Sequence, residues 1–167
     1  MTRKTLLAFS VLFLLGCDGK SITKPVTVPP GTTIEIYATS PAAGPSTISA
    51  IDPVTKTTIN LVTPPIITTS DIATVAKSYQ DLETTGNASP PTSIPSLEIV
   101  LNANGAAKML AATTNPTSPV QAVVVNGTTI AAPKIITPIN KSFRVIGDHR
   151  SPLFLNGIRA ATGQPNG

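Results

Sequence analysis

The chain of 167 residues offers few side chains able to do chemistry: one cysteine, one histidine and eight carboxylates. The only thiol, Cys17, follows Leu14, Leu15 and Gly16. The only imidazole, His149, lies in Gly147-Asp148-His149-Arg150. A Ser-His-Asp relay would need Asp148 to orient His149, but neighbouring side chains diverge and no Gly-x-Ser-x-Gly elbow exists. An exposed turn histidine is the expected reading. A metal centre would have to be built from carboxylates, and these are singletons apart from Asp81 and Glu83. They lack calcium-loop spacing, and no pair suited to glycosidic chemistry can be picked out. No Gly-rich phosphate loop is present. No catalytic residue, metal, cofactor or small-molecule substrate is expected.

Cys17 has a different meaning. Arg3 and Lys4 give a short cationic start, and residues 6–15 are an apolar run broken only by Ser10. That run is too short to span a bilayer, which takes roughly 20 apolar residues, and it fits the core of a secretory signal. Leu14-Leu15-Gly16-Cys17 looks like a lipobox, with cleavage between Gly16 and Cys17 and a diacylglycerol on the thiol. Asp18 directly after the lipidated cysteine resembles a signal that retains lipoproteins in the inner membrane. The expected location is the bacterial envelope, on the periplasmic face of the inner membrane, with the outer membrane as the alternative.

Composition sets further limits. Without Arg3 and Lys4, ten basic residues face eight acidic ones. Lys134, Lys141, Arg144, Arg150 and Arg159 leave the C-terminal part basic, and the expected reading is scattered solvated charge. No Lys/Arg run and no aromatic stacking motif points to nucleic acid. With Cys17 spent on lipid, the mature domain has no disulfide. Trp is absent and only four Phe and two Tyr occur, so Ile, Val, Leu and Ala must fill the core. Abundant Thr and 17 Pro favour strands, turns and extended linkers.

The expected layout is a signal peptide at 1–16, a lipidated N-terminus and flexible tether at 17–32, an α+β domain at 33–160 and a disordered tail at 161–167. Alternation predicts strands at 33–38 and through Leu97, Ile99 and Leu101, a β-branched run predicts one at 120–125, and further strand segments are expected at 46–51, 57–62, 128–131, 134–137 and 143–146. Asp52-Pro53-Val54-Thr55 reads as a turn, and Asn126-Gly127 as a type I′ hairpin. Ser70 reads as the cap of a helix with Ile72, Val75, Ala76 and Tyr79 on one face. Residues 84–95 read as a loop. A second helix is expected near 105–112, capped by Asn104, and a third opens at Ser151-Pro152. The fold expected is α+β, a small mixed or antiparallel sheet with two or three short helices.

Three segments then form a series: Thr63-Pro-Pro-Ile-Ile-Thr-Thr-Ser-Asp-Ile-Ala, Leu97-Glu-Ile-Val-Leu-Asn-Ala-Asn-Gly-Ala-Ala, and Ala122-Val-Val-Val-Asn-Gly-Thr-Thr-Ile-Ala-Ala-Pro. In order and spacing the series resembles the periplasmic head subdomain of SecD and SecDF, membrane proteins that assist Sec-dependent secretion. The likeness covers roughly 33–160, most clearly 61–147. Asn104-Gly105-Ala106 stands where that family prefers Glu-Gly-Ala, Asn126 replaces an Asp, and Ala131-Ala132-Pro133 replaces Ser-Ala-Pro. The matched positions are structural. The resemblance implies a head-like domain that contacts extended or unfolded polypeptide, without the membrane spans that couple SecDF to the proton gradient.

Two functions are therefore expected in order. The first is a membrane-anchored, non-enzymatic module that binds an envelope or exported protein; strand 120–125 could supply an edge if exposed, but burial in the sheet is the expected fate of so apolar a run. The alternative is an immunity- or exclusion-type lipoprotein that blocks one partner. Asp18→Ser is expected to move the protein from inner-membrane to outer-membrane fractions, and unchanged inner-membrane recovery would count against a sorting role.

Overall fold

Asn126 and Gly127, the strongest turn signal, take φ of 48° and 74°. Both are left-handed values, which a type I′ hairpin demands and which glycine adopts at no steric cost. A computed structural model describes residues 23–82, 92–114, 116 and 118–165. Within these the chain is α+β, with two α-helices and antiparallel sheets of five and three strands. In chain order the elements are β1 (Ile34–Ser40), β2 (Thr47–Ile51), β3 (Thr58–Val62), a 3-10 turn (Thr69–Asp71) and β4 (Ile72–Leu82). Then come β5 (Thr92–Leu101), α1 (Ala103–Thr114), β6 (Gln121–Val125), β7 (Thr128–Ala131), β8 (Ser142–Val145) and α2 (Pro152–Thr162).

The large sheet runs β2-β3-β1-β6-β7 and the small one β4-β5-β8. β1 is bonded on both sides. Glu35 and Tyr37 pair with Val124 and Ala122 of β6. The Ile36 N–H donates to the Ile67 carbonyl at 2.9 Å on the opposite side. Ile34 and Ile36 of β1 and Val123 and Val125 of β6 enter one core with Val75, Leu97, Ile99 and Val145 of the small sheet. Phe154, Ile158 and Ala161 of α2 join the same core, at the three- and four-residue spacing of a helix face. Fully burying each large side chain is worth about 1.5–3 kcal/mol relative to exposing it. The opposite face of the large sheet builds a smaller cluster from Tyr37, Leu61, Ala122 and Val124.

Several sequence expectations change. The helix expected after Ser70 is strand β4. A bulge between Ile72 and Thr74 advances the strand by one residue, so Ile72 and Val75 lie on one face at a helix-like spacing of three. Ala76 lies on the other face, opposite Glu98. β5 begins at Thr92, so the expected loop ends earlier than Pro95. Asn104 does not cap α1; Asn102 does, its Oδ1 accepting the Gly105 N–H at 3.0 Å. Residues 134–137 form no strand beyond a single bridge from Lys134 to Val120. Part of the expected tether is bound: the Val26 N–H donates to the Val75 carbonyl at 2.9 Å, and Val28 packs on the core. The expected tail boundary also moves, because α2 runs through the buried Ala161 and Thr162. The expected signal peptide, with Gly16, Cys17 and Asp18, lies outside the described residues.

One buried charge fixes how α1 docks. Asp71 is 1% exposed. Its carboxylate accepts the Thr68 N–H at 3.1 Å, the Asn104 amide at 2.7 Å and the Lys108 ammonium at 2.9 Å to each oxygen. Burial raises its pKa, but the Lys108 ammonium, the Thr68 N–H and hydroxyl and the Asn104 amide outweigh this and leave it below 3.8. The Asp71 carbonyl accepts the Asn102 N–H at 3.0 Å. Gly105 follows from this approach, since a Cβ there would lie 2.3 Å from the Asp71 carbonyl oxygen.

Two outcomes follow for stability. Gly105→Ala is expected to destabilise by roughly 1–3 kcal/mol through overpacking, although Ala is favoured over Gly in a helix by about 1 kcal/mol. A urea midpoint that rises would refute the close approach. Asp71→Asn is expected to cost roughly 2 kcal/mol at pH 7, by removing charge-assisted bonds and leaving Lys108 without its anion. A lowered folded pKa contributes stability above the unfolded value, and that contribution is lost as pH falls through the folded value. The gap between wild type and variant should therefore narrow below about pH 4. Urea melts from pH 7 to pH 3 check this, and a constant gap would exclude Asp71 as its source.

Candidate functional site

The described side chains bring no catalytic group together. His149 is partly buried in the turn before α2, and the Asp148 carboxylate accepts the Arg150 N–H at 3.0 Å. Asp148 thus shapes the turn. Among the described residues no group of three His, Cys, Asp or Glu could hold a metal ion. The buried hydroxyls of Ser78 and Ser96, paired across β4 and β5, have no hydrogen-bond partner. A serine nucleophile needs a base within hydrogen-bond reach, and neither has one. No helix among the described residues is long and apolar enough to cross a membrane.

The basic side chains of the C-terminal part do not converge on one element. Lys134 borders the strand bridge to Val120, and Lys141 precedes β8. Arg144 lies opposite Glu98 across β5 and β8. Arg150 is in the turn before α2, and Arg159, on α2, donates to the Asn156 side chain at 3.3 Å. The Lys108–Asp71 pair is the sole salt bridge among the described residues.

A cleft of about 620 Å³ opens between the β2–β3 hairpin, the end of β1 and the approach to β6. Its hydroxyls are largely spent within the cleft. Thr55 donates to the Asp52 carboxylate at 2.8 Å, and Thr39 donates to the Val120 carbonyl at 2.9 Å. No aromatic side chain lines the cleft. Beside it, Tyr37 donates to Glu35 at 3.0 Å; burial and then that carboxylate push its hydroxyl pKa up.

What remains available is backbone. β2 pairs with β3, and the large sheet ends there. The Asp52 N–H donates to the Thr57 carbonyl and the Thr63 N–H to the Ser46 carbonyl. In an antiparallel ladder such pairs recur every second residue, so Ile48 and Ala50 also turn their backbone groups toward β3. Thr47, Ser49 and Ile51 turn theirs outward; the Thr47 N–H is spent on the Gly44 carbonyl at 3.1 Å, which leaves Ser49 and Ile51 as the open positions among the described residues. Edge strands are ordinarily blunted by Lys, Pro or a bulge, and residues 47–51 contain none. Ile48 is 50% exposed and Ile51 55%, with Val54 at the hairpin tip 57% exposed.

The other edges are less open. β7 carries α2, β4 carries residues 23–26, and β8 is four residues long with Arg144 within it. Strand 120–125 lies within the sheet, as expected of so apolar a run, and offers no edge: β6 lies between β1 and β7 with every residue buried. Sequence reasoning found the β2–β3 hairpin but not its open edge, because backbone direction has no residue-type signature. Asp71 was also missed as a structural anchor, although Thr68-Thr-Ser-Asp71 has the spacing of a capping box.

No family profile matches the chain, and no curated protein matches it. Among solved structures, the crystal structure of SecDF in its super-membrane-facing form is similar over 80% of this chain at 15% identity and a TM-score of 0.45. The match spans 19% of the SecDF chain, about a fifth of its length.

Proposed function

We propose that this protein is a membrane-anchored, non-catalytic binding module of the bacterial envelope that takes an extended segment of an envelope or exported polypeptide along the outer edge of β2. The observation that supports it most is the open edge at Ser49 and Ile51, beside the exposed side chains of Ile48 and Ile51. Strand addition draws its affinity from main-chain hydrogen bonds and its selectivity from alternate side chains. Successive outward-facing residues are two apart, roughly 6.8 Å along a strand, which matches the repeat of any extended chain. The site therefore selects first for extended backbone and then for side chains that cover Ile48 and Ile51. A lipid on Cys17, with Asp18 as sorting signal, would hold this edge at the periplasmic face of the inner membrane.

Ser49→Pro tests the edge with little disturbance to the fold. Proline removes one outward N–H, and edge strands are where sheets tolerate it. A photo-crosslinking residue at Ile51 should capture one specific envelope protein, with at least a tenfold lower yield in the Ser49→Pro background. Equal capture in both backgrounds, or repeated recovery of nothing above background, would overturn the proposal.

A further inference from the structure

The outer edge of β4 has the same property as that of β2, but part of this chain already lies on it. The Val75 N–H donates to the Val26 carbonyl at 2.8 Å, and the Val26 N–H returns to the Val75 carbonyl at 2.9 Å. Two residues along, the Lys77 carbonyl accepts the Thr23 N–H at 3.0 Å and the Thr23 hydroxyl at 3.1 Å. The Lys77 N–H donates to that same hydroxyl at 3.0 Å. These contacts have the antiparallel form of an added strand.

The hold is slight. One bridge pair, Val26 with Val75, is formed. Residues 24–27 are exposed, with Val26 at 37%. Just downstream the chain is secured: Val28 packs on the core and Thr32 bonds the Ala160 carbonyl of α2. Release of residues 23–27 would therefore swing the segment about a fixed point and leave the core contacts of Val28 in place. β4 also outruns its occupant. Backbone direction alternates, so Tyr79 turns its groups to the same side as Val75 and Lys77.

We infer that the outer edge of β4 is a second strand-acceptor site, filled at rest by the chain's own Thr23 to Val26, and that an extended segment of another polypeptide displaces them. The resting occupant shows the chemistry the edge accepts: an extended backbone with a β-branched residue opposite Val75. Displacement frees residues 23–27 and lengthens the link between the domain and whatever precedes it, so engagement at β4 and reach are coupled. The inference extends the strand-addition reading to another edge, and its test reads β4 amides, which the Ser49→Pro variant of β2 leaves untouched.

The experiment uses the full chain carrying Thr23→Ala and Val26→Pro, with a synthetic peptide of residues 23–30 as probe. Hydrogen exchange at the Val75 and Lys77 amides should be at least tenfold faster than in wild type, and the peptide should restore protection. The peptide should bind the variant at least tenfold more tightly than it binds wild type, whose edge is filled. Unchanged exchange, failure of the peptide to restore protection, or equal binding to both proteins would overturn the inference. Amides of β6 report folding. If they also lose protection, Thr23→Ala alone decides through the Lys77 amide, where faster exchange supports the inference and unchanged exchange overturns it. A wild-type dimer whose Val75 protection falls on dilution would assign the occupant to a second copy and overturn the intramolecular strap.

Discussion

A single buried carboxylate sets the geometry at one end of this molecule. Asp71 brings a charge to a site with almost no solvent contact, where an unpaired ion costs several kcal/mol. Every neighbour is arranged to keep it paired. Thr68 and Asn104 direct donors at it, and Lys108 reaches in from a half-exposed position. Because Asn104 and Lys108 are four residues apart on α1, satisfying Asp71 fixes the rotation of that helix as well as its distance. Gly105 lies between them, where only a hydrogen leaves room for the Asp71 carbonyl.

The rest of the molecule is organised by hydrogen-bond direction in its sheets. β1 spends both sides, one on β6 and the other on β3 and residues 66–67. That closes the centre of the large sheet and pushes unsatisfied backbone to its margins. α2 packs against β7, and the segment at 23–26 lies on β4. β2 is left uncovered among the described residues. Among the described residues no catalytic group is assembled, and main-chain donors and acceptors lie uncovered at the β2 edge. The proposals for β2 and β4 both rest on that economy of side-chain chemistry.

Sequence reasoning succeeded where a few adjacent residues settle the outcome. Asn126-Gly127 takes the left-handed values that a tight hairpin requires, and Asp52 closes its turn through the Val54 N–H. Pro152 opens α2 because the missing N–H lies among donors that have no intrahelical partner. It failed where one residue's phase depended on a distant partner. Ile72 and Val75 share a face through a bulge against β5, and the resulting spacing of three imitates a helix. Asn104 looked like a cap because its use as a donor to Asp71, 33 residues away, cannot be seen locally.

The sequence by itself determined the chemical inventory, the α+β class, the hairpins and the start of the final helix. These depend on residue type and on interactions spanning a few positions, where backbone sterics and periodicity act directly. Tertiary structure alone decided that Asp71 is buried and paired, that β6 is central, that β2 is open and that Thr23 and Val26 occupy β4. Each of those outcomes depends on which strand lies beside which. That is a matter of long-range burial and hydrogen-bond direction, shared by every backbone and written in no single residue.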